Sequence, residues 1–370
     1  MKILIVSTVR RKITHDEPAS RSKVIYNLAK GLAERGHDVT LVATADSLVP
    51  GVTLDPIMES GLVDMQPAEN NIFREIAYLV KLAEHIKKIH HTFDIIHNHS
   101  APDYFMSLIE DQLSVPLVST VHIQPTTYVD ETFALFSKTH LISISKAHKK
   151  LFKKAHMQSI VYNGIDTDIY SYSDTKKDYL LWLGRLSKAK NSDGSFMDPK
   201  GIRWAIQLAR ETDSRLLLSG NVEDIDFFNS DVKPYLNDKI QWIGPVKEKL
   251  PLTKKHVAKL MQEAKVFLMT INWYEPFGLV MAESMSCGTP VIGFDRGSVS
   301  EVIQEGKTGF VVSPEDGIDG LKLALSKINT IQSRACRSRV EKMFTIDRMV
   351  ENYEAVYEEI LAKKAKKQSP

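Results

Sequence analysis

Two glutamates frame the segment EPFGLVMAES, residues 275–284, and both are placed to do chemistry. Glu275 lies in front of a helical pattern, whereas Glu283 lies within the apolar face of that pattern. A carboxylate buried without a partner is costly, so we expect Glu283 to have either a structural partner or a ligand. Because a carboxylate accepts several hydrogen bonds, it suits a vicinal diol such as a ribose.

Gly278 lies between these two glutamates, close to where the helix starts. Pro276 suits a first helical turn, and we expect Phe277 and Gly278 to begin the helix. A glycine there lets a ligand approach free backbone N–H groups at the positive end of the helix dipole, which is a site for phosphate. The spacing therefore fits a nucleotide site, and it fits equally well a helix whose polar residue pairs with a neighbour.

Cationic side chains follow the strand-like run DYLLWLG. Arg185 ends this run, the next loop carries Lys188, Lys190 and Lys200, and Gly201 leads into a helix. Cations at a strand end suit a diphosphate, although a charged loop is also typical of solvated surface. We prefer Lys200 to Lys190 as the phosphate ligand because Lys200 opens a helix.

Short apolar runs alternate with helical segments along the chain, which is typical of parallel sheets with helices on both faces. The pattern restarts near residue 178, after a polar and turn-rich stretch at 163–177. We therefore predict two domains, at 1–165 and 166–345, with a C-terminal helix at about 346–366 packing back on the first. Ligands bind at the carboxyl ends of such strands, where the residues above are found.

Composition and charge disfavour several other classes of protein. The net charge of +2 gives no general attraction to nucleic acid, and no apolar run approaches the ~20 residues that span a bilayer. Two cysteines are too few for a disulfide framework or a zinc cluster, which favours a cytoplasmic protein. The basic segment 145–156 has interleaved apolar residues; it fits a solvated helix face or peripheral contact with the inner face of the membrane.

The segment EPFGLVMAES has a Glu-x7-Glu pattern and resembles retaining glycosyltransferases of the GT-B type, specifically glycosyltransferase family 4. Six further segments are similar to segments of that family and occur in its order. They are GHDVTLV, VYNGID, GRL with a later Lys-Gly, CGTPVIGF, GSVSEVI and GKTGFVV. The resemblance implies an α/β fold of the GT-B kind, with two Rossmann-like, doubly wound domains facing across a cleft.

The same resemblance implies roles for individual residues. Glu275 would act as a catalytic residue by contacting the hydroxyls of the donor sugar, and Glu283 would hold the ribose. Arg185 and Lys200 would neutralise the diphosphate leaving group. The remaining donor-binding positions, which line the sugar and phosphate or lie near the base, would be Phe277, Gly278, Leu279, Gly244 and Val246.

Histidines and aspartates elsewhere invite other interpretations. His122 directly follows an apolar strand and matches the catalytic histidine of the family's first domain, although a capping or core histidine is the alternative. His97 and His99 alternate on a strand and would need further ligands to hold a metal ion, so we expect no metal site. Asp166 and Asp168 mimic a metal-binding Asp-x-Asp motif, but they lie at the domain join and we reject that interpretation.

The resemblance implies retaining, metal-independent transfer of a sugar from a nucleotide-sugar donor, with a UDP-sugar such as UDP-glucose preferred. No cofactor is expected, and the acceptor is left open between a sugar, a small molecule and a lipid-linked molecule. A UDP-sugar epimerase or hydrolase of the same fold is one alternative. A binding protein without catalysis is another, because Ala19-Ser20 occupies a loop where many family members carry Gly-Gly.

Overall fold

The computed structural model describes residues 1–246 and 252–368. The chain divides into two compact units, Met1–Gly164 with Ile346–Pro370, and Ile165–Thr345. Each unit contains a parallel β-sheet with helices around it. The prediction of two Rossmann-like α/β domains is therefore confirmed.

The N-terminal unit has a parallel sheet whose strand order, in the described residues, is β3-β2-β1-β4-β5-β6-β7. Its central strands are buried, as expected for apolar runs covered on both faces. The edge strand β3 was not predicted, because Pro56 within it is atypical of a strand. A proline is tolerated at the edge of a sheet because the backbone N–H that it lacks would face away from the neighbouring strand. The strands are β1 (Lys2–Val6), β2 (Asp38–Thr44), β3 (Thr53–Met58), β4 (Ile95–Asn98), β5 (Leu117–Val121), β6 (His140–Ser143) and β7 (Ser159–Ile160).

The C-terminal unit has a second parallel sheet, in which the described residues form the order β10-β9-β8-β11-β12-β13. The order reverses direction at β8 and β11, and it is at such a switch point that open α/β sheets form their ligand crevices. The strands are β8 (Leu180–Leu186), β9 (Leu216–Val222), β10 (Ile240–Trp242), β11 (Val266–Met269), β12 (Val291–Phe294) and β13 (Gly309–Val312).

Helices connect the strands within each unit. The α-helices are α1 (Ser20–Glu34), α2 (Asn71–Ile89), α3 (Thr127–Phe133), α4 (Lys146–Leu151), α5 (Ile202–Glu211), α6 (Ile225–Asp231), α7 (Lys254–Glu263), α8 (Leu279–Ser286), α9 (Val299–Val302), α10 (Gly317–Lys327), α11 (Ser333–Met343) and α12 (Ile346–Gln368). Short 3-10 helices cover His90–Thr92, Phe105–Gln112, Lys233–Tyr235, Pro314–Asp316 and Ile328–Thr330.

The C-terminal helix α12 packs within the N-terminal unit. Gly31 of α1 allows its close approach, since a Cβ on Gly31 would lie 2.5 Å from Val350 Cγ2. Glu354 Oε1 lies within hydrogen-bond distance of His37 Nε2, at 2.7 Å. Tyr353 and Tyr357, on the same helix, are both fully buried, so α12 completes the core of a unit that is otherwise built from the first half of the chain.

The basic segment 145–156 turns its apolar side chains inward. Phe152 and Ala155 belong to a buried cluster, together with Met157 just beyond the segment. Its lysines remain at the surface, with Lys153 and Lys154 exposed. Exposed lysines above a buried apolar side suit both alternatives, a solvated surface and peripheral contact with a membrane. No helix in the described residues is long and apolar enough to cross a membrane.

Candidate functional site

Glu275 lies in the loop between β11 and α8, and two donors hold its carboxylate. The Lys200 ammonium donates to Oε2 at 2.9 Å, and Trp273 Nε1 donates to the same oxygen at 3.1 Å. The side chains of Glu275 and Lys200 are 12% and 24% exposed, so their ion pair is partly shielded from water. One carboxylate oxygen is thereby fixed, and no partner of Oε1 is recorded in the part of the chain that the structure describes.

Lys200, and not Lys190, is the lysine that reaches Glu275. Its ammonium also lies 4.3 Å from the centre of the Trp273 ring, which adds a cation–π contact. The Lys190 ammonium lies instead over the ring of Phe196, at 4.5 Å from its centre. Lys200 is therefore the lysine that lies beside Glu275, and its role as a phosphate ligand stays a prediction.

A close approach of two backbone segments brings Lys200 to this loop. Gly201 has φ +70°, and a Cβ there would lie 1.6 Å from the carbonyl oxygen of Thr270. The hydroxyl of Thr270 donates to the Gly201 carbonyl at 2.7 Å, and Trp182 Nε1 donates to the Lys200 carbonyl at 3.0 Å. Only a glycine fits this conformation and this spacing, so the Lys-Gly sequence is what fastens the start of α5 to the end of β11.

Asp198 was not singled out from the sequence, yet it organises the turn before α5. Its carboxylate accepts hydrogen bonds from the backbone N–H groups of Gly201 at 2.8 Å, Ile202 at 3.0 Å and Arg203 at 3.0 Å. Burial raises the pKa of Asp198, against the lowering effect of these hydrogen bonds. An aspartate just before a helix start is a capping signal, and this signal could have identified it.

The segment Gly297–Ser298 holds the Glu275 loop from the other side. Ser298 N–H donates to the Glu275 carbonyl at 2.9 Å, and its hydroxyl donates to the Phe277 carbonyl at 2.8 Å. Gly297 has φ +72°, and a Cβ there would lie 2.3 Å from the carbonyl oxygen of Glu275. The GSVSEV segment therefore has a physical role, which is to fix the backbone that carries Glu275.

Helix α8 begins at Leu279, so the expectation that Phe277 and Gly278 form its first residues is wrong. Gly278 is the capping residue and has the left-handed conformation, with φ +76°, which is outside the helical region. Phe277 is buried and packs edge-to-face on Phe344, with ring centres 5.7 Å apart. Its side chain is thus part of the core.

Glu283 has a structural partner inside the unit. It is 4% exposed on α8 and forms a hydrogen bond with the hydroxyl of Tyr170, a residue that is also 4% exposed. Burial and the neighbouring Glu283 carboxylate raise the pKa of Tyr170, so the phenol keeps its proton and donates it. Of the two kinds of partner expected for Glu283, a structural one is therefore present.

Arg185, Gly244 and Val246 lie apart from this hydrogen-bonded group. Arg185 is the penultimate residue of β8; its guanidinium contacts Glu223 at 3.3 Å and is 58% exposed, which makes it an accessible cation. Gly244 is exposed after β10, and Val246 packs on the domain core. In the described residues no hydrogen bond or ion pair joins Arg185 to Glu275.

In the N-terminal unit, His122 follows β5, is partly buried, and borders a buried polar cluster. Its backbone N–H donates to Asp103 Oδ1 at 2.7 Å, and Asp103 pairs with Arg21 at 2.9 Å. Its Nε2 lies 2.8 Å from His99 Nδ1, and His99 Nε2 lies 3.3 Å from His97 Nδ1. The contact between His99 and His122 could not be predicted from the sequence. It arises because β4 and β5, which these residues follow, are neighbours in the sheet.

Burial governs the charge of these three histidines. It lowers the pKa of His97, His99 and His122 well below the ordinary value, and the mutual proximity of the rings lowers it further. All three are therefore neutral at physiological pH. Among the residues that the structure describes, no group of three or more His, Cys, Asp or Glu side chains is arranged to hold a metal ion.

Comparison with known proteins identifies the family. Residues 22–169 match the family described as Glycosyltransferase Family 4, and residues 170–341 match the family described as Glycosyl transferases group 1. The chain belongs to glycosyltransferase family 4, with the GT-B fold. The two matches follow one another along the chain, one on each of the two units.

Named relatives of this family 4 glycosyltransferase align over most of its length. It is 24% identical to N-acetyl-alpha-D-glucosaminyl L-malate synthase of Bacillus anthracis over 90% of this chain and 92% of the relative. It is 23% identical to the phosphatidyl-myo-inositol mannosyltransferase of Mycobacterium tuberculosis, over 88% and 87% of the two chains.

Solved structures share the fold of this glycosyltransferase. Sucrose-phosphate synthase from Thermosynechococcus elongatus has a TM-score of 0.76 and 18% identity, with 98% of this chain and 99% of that chain covered. HepE from Anabaena, solved in complex with UDP, has a TM-score of 0.70 and 15% identity, with 97% and 100% covered. At these identities, the likeness shows the fold alone.

The buried His148 makes the stability of this glycosyltransferase depend on pH. Its Nε2–H donates to the Ile123 carbonyl at 2.8 Å, and burial lowers its pKa from 6.5 to about 4. Between these values the unfolded chain binds a proton that the folded chain does not, so stability rises with pH across this window and is lost as pH falls. For His148 alone the loss is about 2 kcal/mol on going from pH 7 to pH 5.

Urea unfolding at pH 7 and at pH 5 measures this effect. We expect His148→Gln, which keeps an N–H donor and removes the titrating ring, to lose about 2 kcal/mol less than the wild type between the two pH values. Equal losses in both proteins would show that His148 is not the titrating group.

Proposed function

We propose that this glycosyltransferase moves a sugar from a UDP-linked donor, such as UDP-glucose, to an acceptor hydroxyl with retention of anomeric configuration and without a metal ion. The observation that carries the proposal is the contact between Lys200 and Glu275 in front of helix α8. This contact brings together a cation, a carboxylate and a helix N-terminus. The cation and the helix N-terminus suit a diphosphate, and the carboxylate suits the hydroxyls of the attached sugar. The structure of HepE with UDP supports a UDP-linked donor.

Positive groups do the work of a metal ion in this proposal. Departure of the nucleoside diphosphate leaves negative charge on phosphate oxygens, and preorganised cations and dipoles stabilise that charge. Lys200 and the exposed Arg185 supply cations, and the start of α8, at the backbone of Gly278 and Leu279, supplies N–H groups. A resident divalent cation would therefore be unnecessary.

Glu275 is proposed to contact the sugar through its second carboxylate oxygen. Oε2 is held by Lys200 and Trp273, so the carboxylate is oriented before the donor binds. Oε1 is then the oxygen that accepts hydrogen bonds from the sugar hydroxyls. We assign to His122 a hydrogen bond with the transferring sugar, a role supported by the family resemblance and by its location directly after β5.

Glu283 is proposed to hold the ribose, the role that the family resemblance implies for it, because a carboxylate can accept hydrogen bonds from both hydroxyls of a vicinal diol. We expect Glu283→Gln to weaken UDP binding about 10-fold, because hydrogen bonds from the diol to a charged acceptor are replaced by weaker bonds. Tyr170→Phe is the matched control, since it removes the structural hydrogen bond and keeps the carboxylate. Isothermal titration with UDP measures both, and unchanged affinity in Glu283→Gln would refute the ribose contact.

The proposed donor and the metal independence are tested together by thermal shift. The protein is mixed with UDP-, GDP-, ADP- and TDP-sugars, each with EDTA, and each again with Mg²⁺. We expect UDP-sugars to raise Tm most, by the same amount in both buffers, because binding to the folded state stabilises it. A larger shift with another base would overturn the donor assignment, and a shift that requires Mg²⁺ would overturn the metal-free proposal.

The acceptor is proposed to be a sugar, a small molecule or a lipid-linked molecule that offers a hydroxyl group. The relatives support such a range, since their names refer to L-malate in one case and to phosphatidyl-myo-inositol in the other. Peripheral contact with a membrane is needed only for a lipid-linked acceptor.

A further inference from the structure

Helix α2 exposes a contiguous apolar face in the first half of its length. Phe73 is 70% exposed, Ile72 69%, Val80 50% and Ile76 48%. These four residues, the α2 face, adjoin one another because residues three and four apart are neighbours on a helix surface. The other side of the helix packs into the core of the N-terminal unit through Leu79, Leu82, Ala83 and Ile86. A helix segment that is apolar on both sides is normally covered, so the α2 face indicates an interaction surface.

Two charged residues within this half of the helix do not interrupt the α2 face, because partners in the same unit hold them at its flanks. Arg74 donates to the Gln66 carbonyl at 2.6 Å and to Asn71 Oδ1 at 3.0 Å. Glu75 forms an ion pair with Arg10 at 2.7 Å, and its side chain is 20% exposed. Both charged side chains are therefore engaged within the unit, and the α2 face stays apolar.

The charges at the two ends of the α2 face have opposite signs. The segment 59–70, which precedes the face, has three acidic residues and no lysine or arginine. These acidic residues are all exposed; they are Glu59, Asp64 and Glu69. The segment 81–88, which follows the face, has three lysines and one glutamate. Its glutamate pairs with one lysine at 2.6 Å, so the two exposed lysines, Lys81 and Lys88, give this end its positive charge. The order along the chain is thus acidic, apolar, basic.

We propose that α2 pairs with α2 of a second copy of this chain, in antiparallel orientation about a two-fold axis that passes near Ile76. A two-fold interface uses the same surface on both copies, so that surface must be complementary to itself. Antiparallel pairing meets this condition, because the apolar faces cover each other and the acidic end of one copy meets the basic end of the other. An anionic bilayer would instead favour cations at both ends of the face. The proposal does not depend on the proposed function.

Sedimentation velocity of the full-length protein over a concentration series measures the association. We expect the wild type to sediment with twice the chain mass, and the double variant Phe73→Ser with Ile76→Ser to raise the Kd of the dimer about 100-fold or more. Leu135→Ser is the matched control, because Leu135 is 78% exposed in the same unit but lies outside α2, and it should stay dimeric. A wild type that is monomeric even at about 100 μM, or a dimer that the double variant does not weaken, would overturn the proposal.

Engineered cysteines test the orientation of the two helices. Antiparallel pairing about Ile76 places Ile72 of one copy opposite Val80 of the other, and it separates the two copies of Ile72 by about 12 Å along the helix, too far for a disulfide. We expect Ile72→Cys mixed with Val80→Cys to form a disulfide-linked dimer on oxidation, and neither variant alone to do so. The native cysteines are both buried and leave the background low. A linked dimer in Ile72→Cys alone would show parallel pairing and overturn the proposal.

Charge reversal tests the contact between the acidic and basic ends. We expect Glu69→Lys and Lys81→Glu each to weaken the dimer about 10-fold at low salt, since each change occurs twice in a two-fold dimer, and the combined variant to regain the wild-type Kd. A combined variant that is no tighter than the single ones contradicts antiparallel pairing. Cosedimentation with vesicles of phosphatidylglycerol and phosphatidylcholine tests the other cover. Vesicle binding by a monomeric wild type that Phe73→Ser abolishes would assign the α2 face to a membrane and overturn the proposal.

Discussion

Replacing Glu275 by glutamine is expected to lower kcat for sugar transfer about 100-fold or more, with the Kd for UDP nearly unchanged. The amide can still accept hydrogen bonds from Lys200 and Trp273, so the loop should keep its conformation. What disappears is the negative charge, at the place where the transferring sugar becomes positively charged in the transition state. The loss therefore falls on the chemical step rather than on nucleotide binding.

Initial-rate kinetics with the UDP-sugar and titration with UDP separate these two quantities. Glu263→Gln is the matched control, because Glu263 forms a comparable ion pair with Lys177, at 2.6 Å, elsewhere in the same unit. Its kcat should equal that of the wild type. Wild-type turnover in Glu275→Gln would remove Glu275 from the mechanism.

Replacing Gly297 by alanine is expected to cost about 3 kcal/mol or more of folding stability, and to lower transfer although Gly297 is not proposed to touch the substrate. A Cβ there would lie 2.3 Å from the carbonyl oxygen of Glu275, and the backbone has φ +72°. The overlap can be relieved only by moving the backbone of Gly297 away from the backbone that carries Glu275, and this loosens the hold on Glu275. A displacement of about 1 Å in a catalytic group can lower the rate about 100-fold.

Gly306→Ala separates the steric overlap from the backbone strain. Gly306 has a similar φ of +66°, but a Cβ there would meet nothing within 4 Å. We expect this variant to lose only about 1 kcal/mol, the cost of the left-handed conformation, and to keep its kcat. Urea unfolding and initial rates compare the two. Equal effects in both variants would contradict the role assigned to the contact between Gly297 and Glu275.

The fold was largely predictable because it follows from local patterns. Apolar runs bounded by polar turns identified strands in both sheets, and the run DVTLVAT coincides with β2. Strand β3 was missed because Pro56 and Asp55 are both atypical of strands, and the pairing with β2 that stabilises it is not visible in a local window. The left-handed Gly278 likewise moved the start of α8, since helix periodicity does not show backbone conformation.

Candidate residues of the site were predictable one by one, but their contacts were not. Glu275 and Lys200 were each singled out, yet they lie 75 residues apart in the sequence. They meet at 2.9 Å because the backbone at Gly201 packs against Thr270, at the end of β11. Trp273 and Ser298 were missed because a tryptophan or a serine in a loop usually lies at the surface or has only a structural role. Their roles arise from the tertiary fold, which a single sequence does not reveal.

The contacts among the histidines of the N-terminal unit were also not predictable from the sequence. His97 and His99 were considered as metal ligands on one strand, but the structure places them in series with His122. Tyr357, whose hydroxyl lies 2.6 Å from His97 Nδ1, belongs to α12 and is 260 residues further along the sequence than His97. No local pattern could have joined these residues.

Retaining, metal-independent transfer is tested most directly by the slow hydrolysis of UDP-glucose in EDTA without acceptor, followed by nuclear magnetic resonance in its first minutes. UDP-glucose is an α-glycoside, so retention predicts that α-glucose appears first and equilibrates to the β-anomer only later. Glu275→Gln, measured in parallel, should release glucose no faster than buffer. Initial release of β-glucose, or release that depends on added Mg²⁺, would contradict the account.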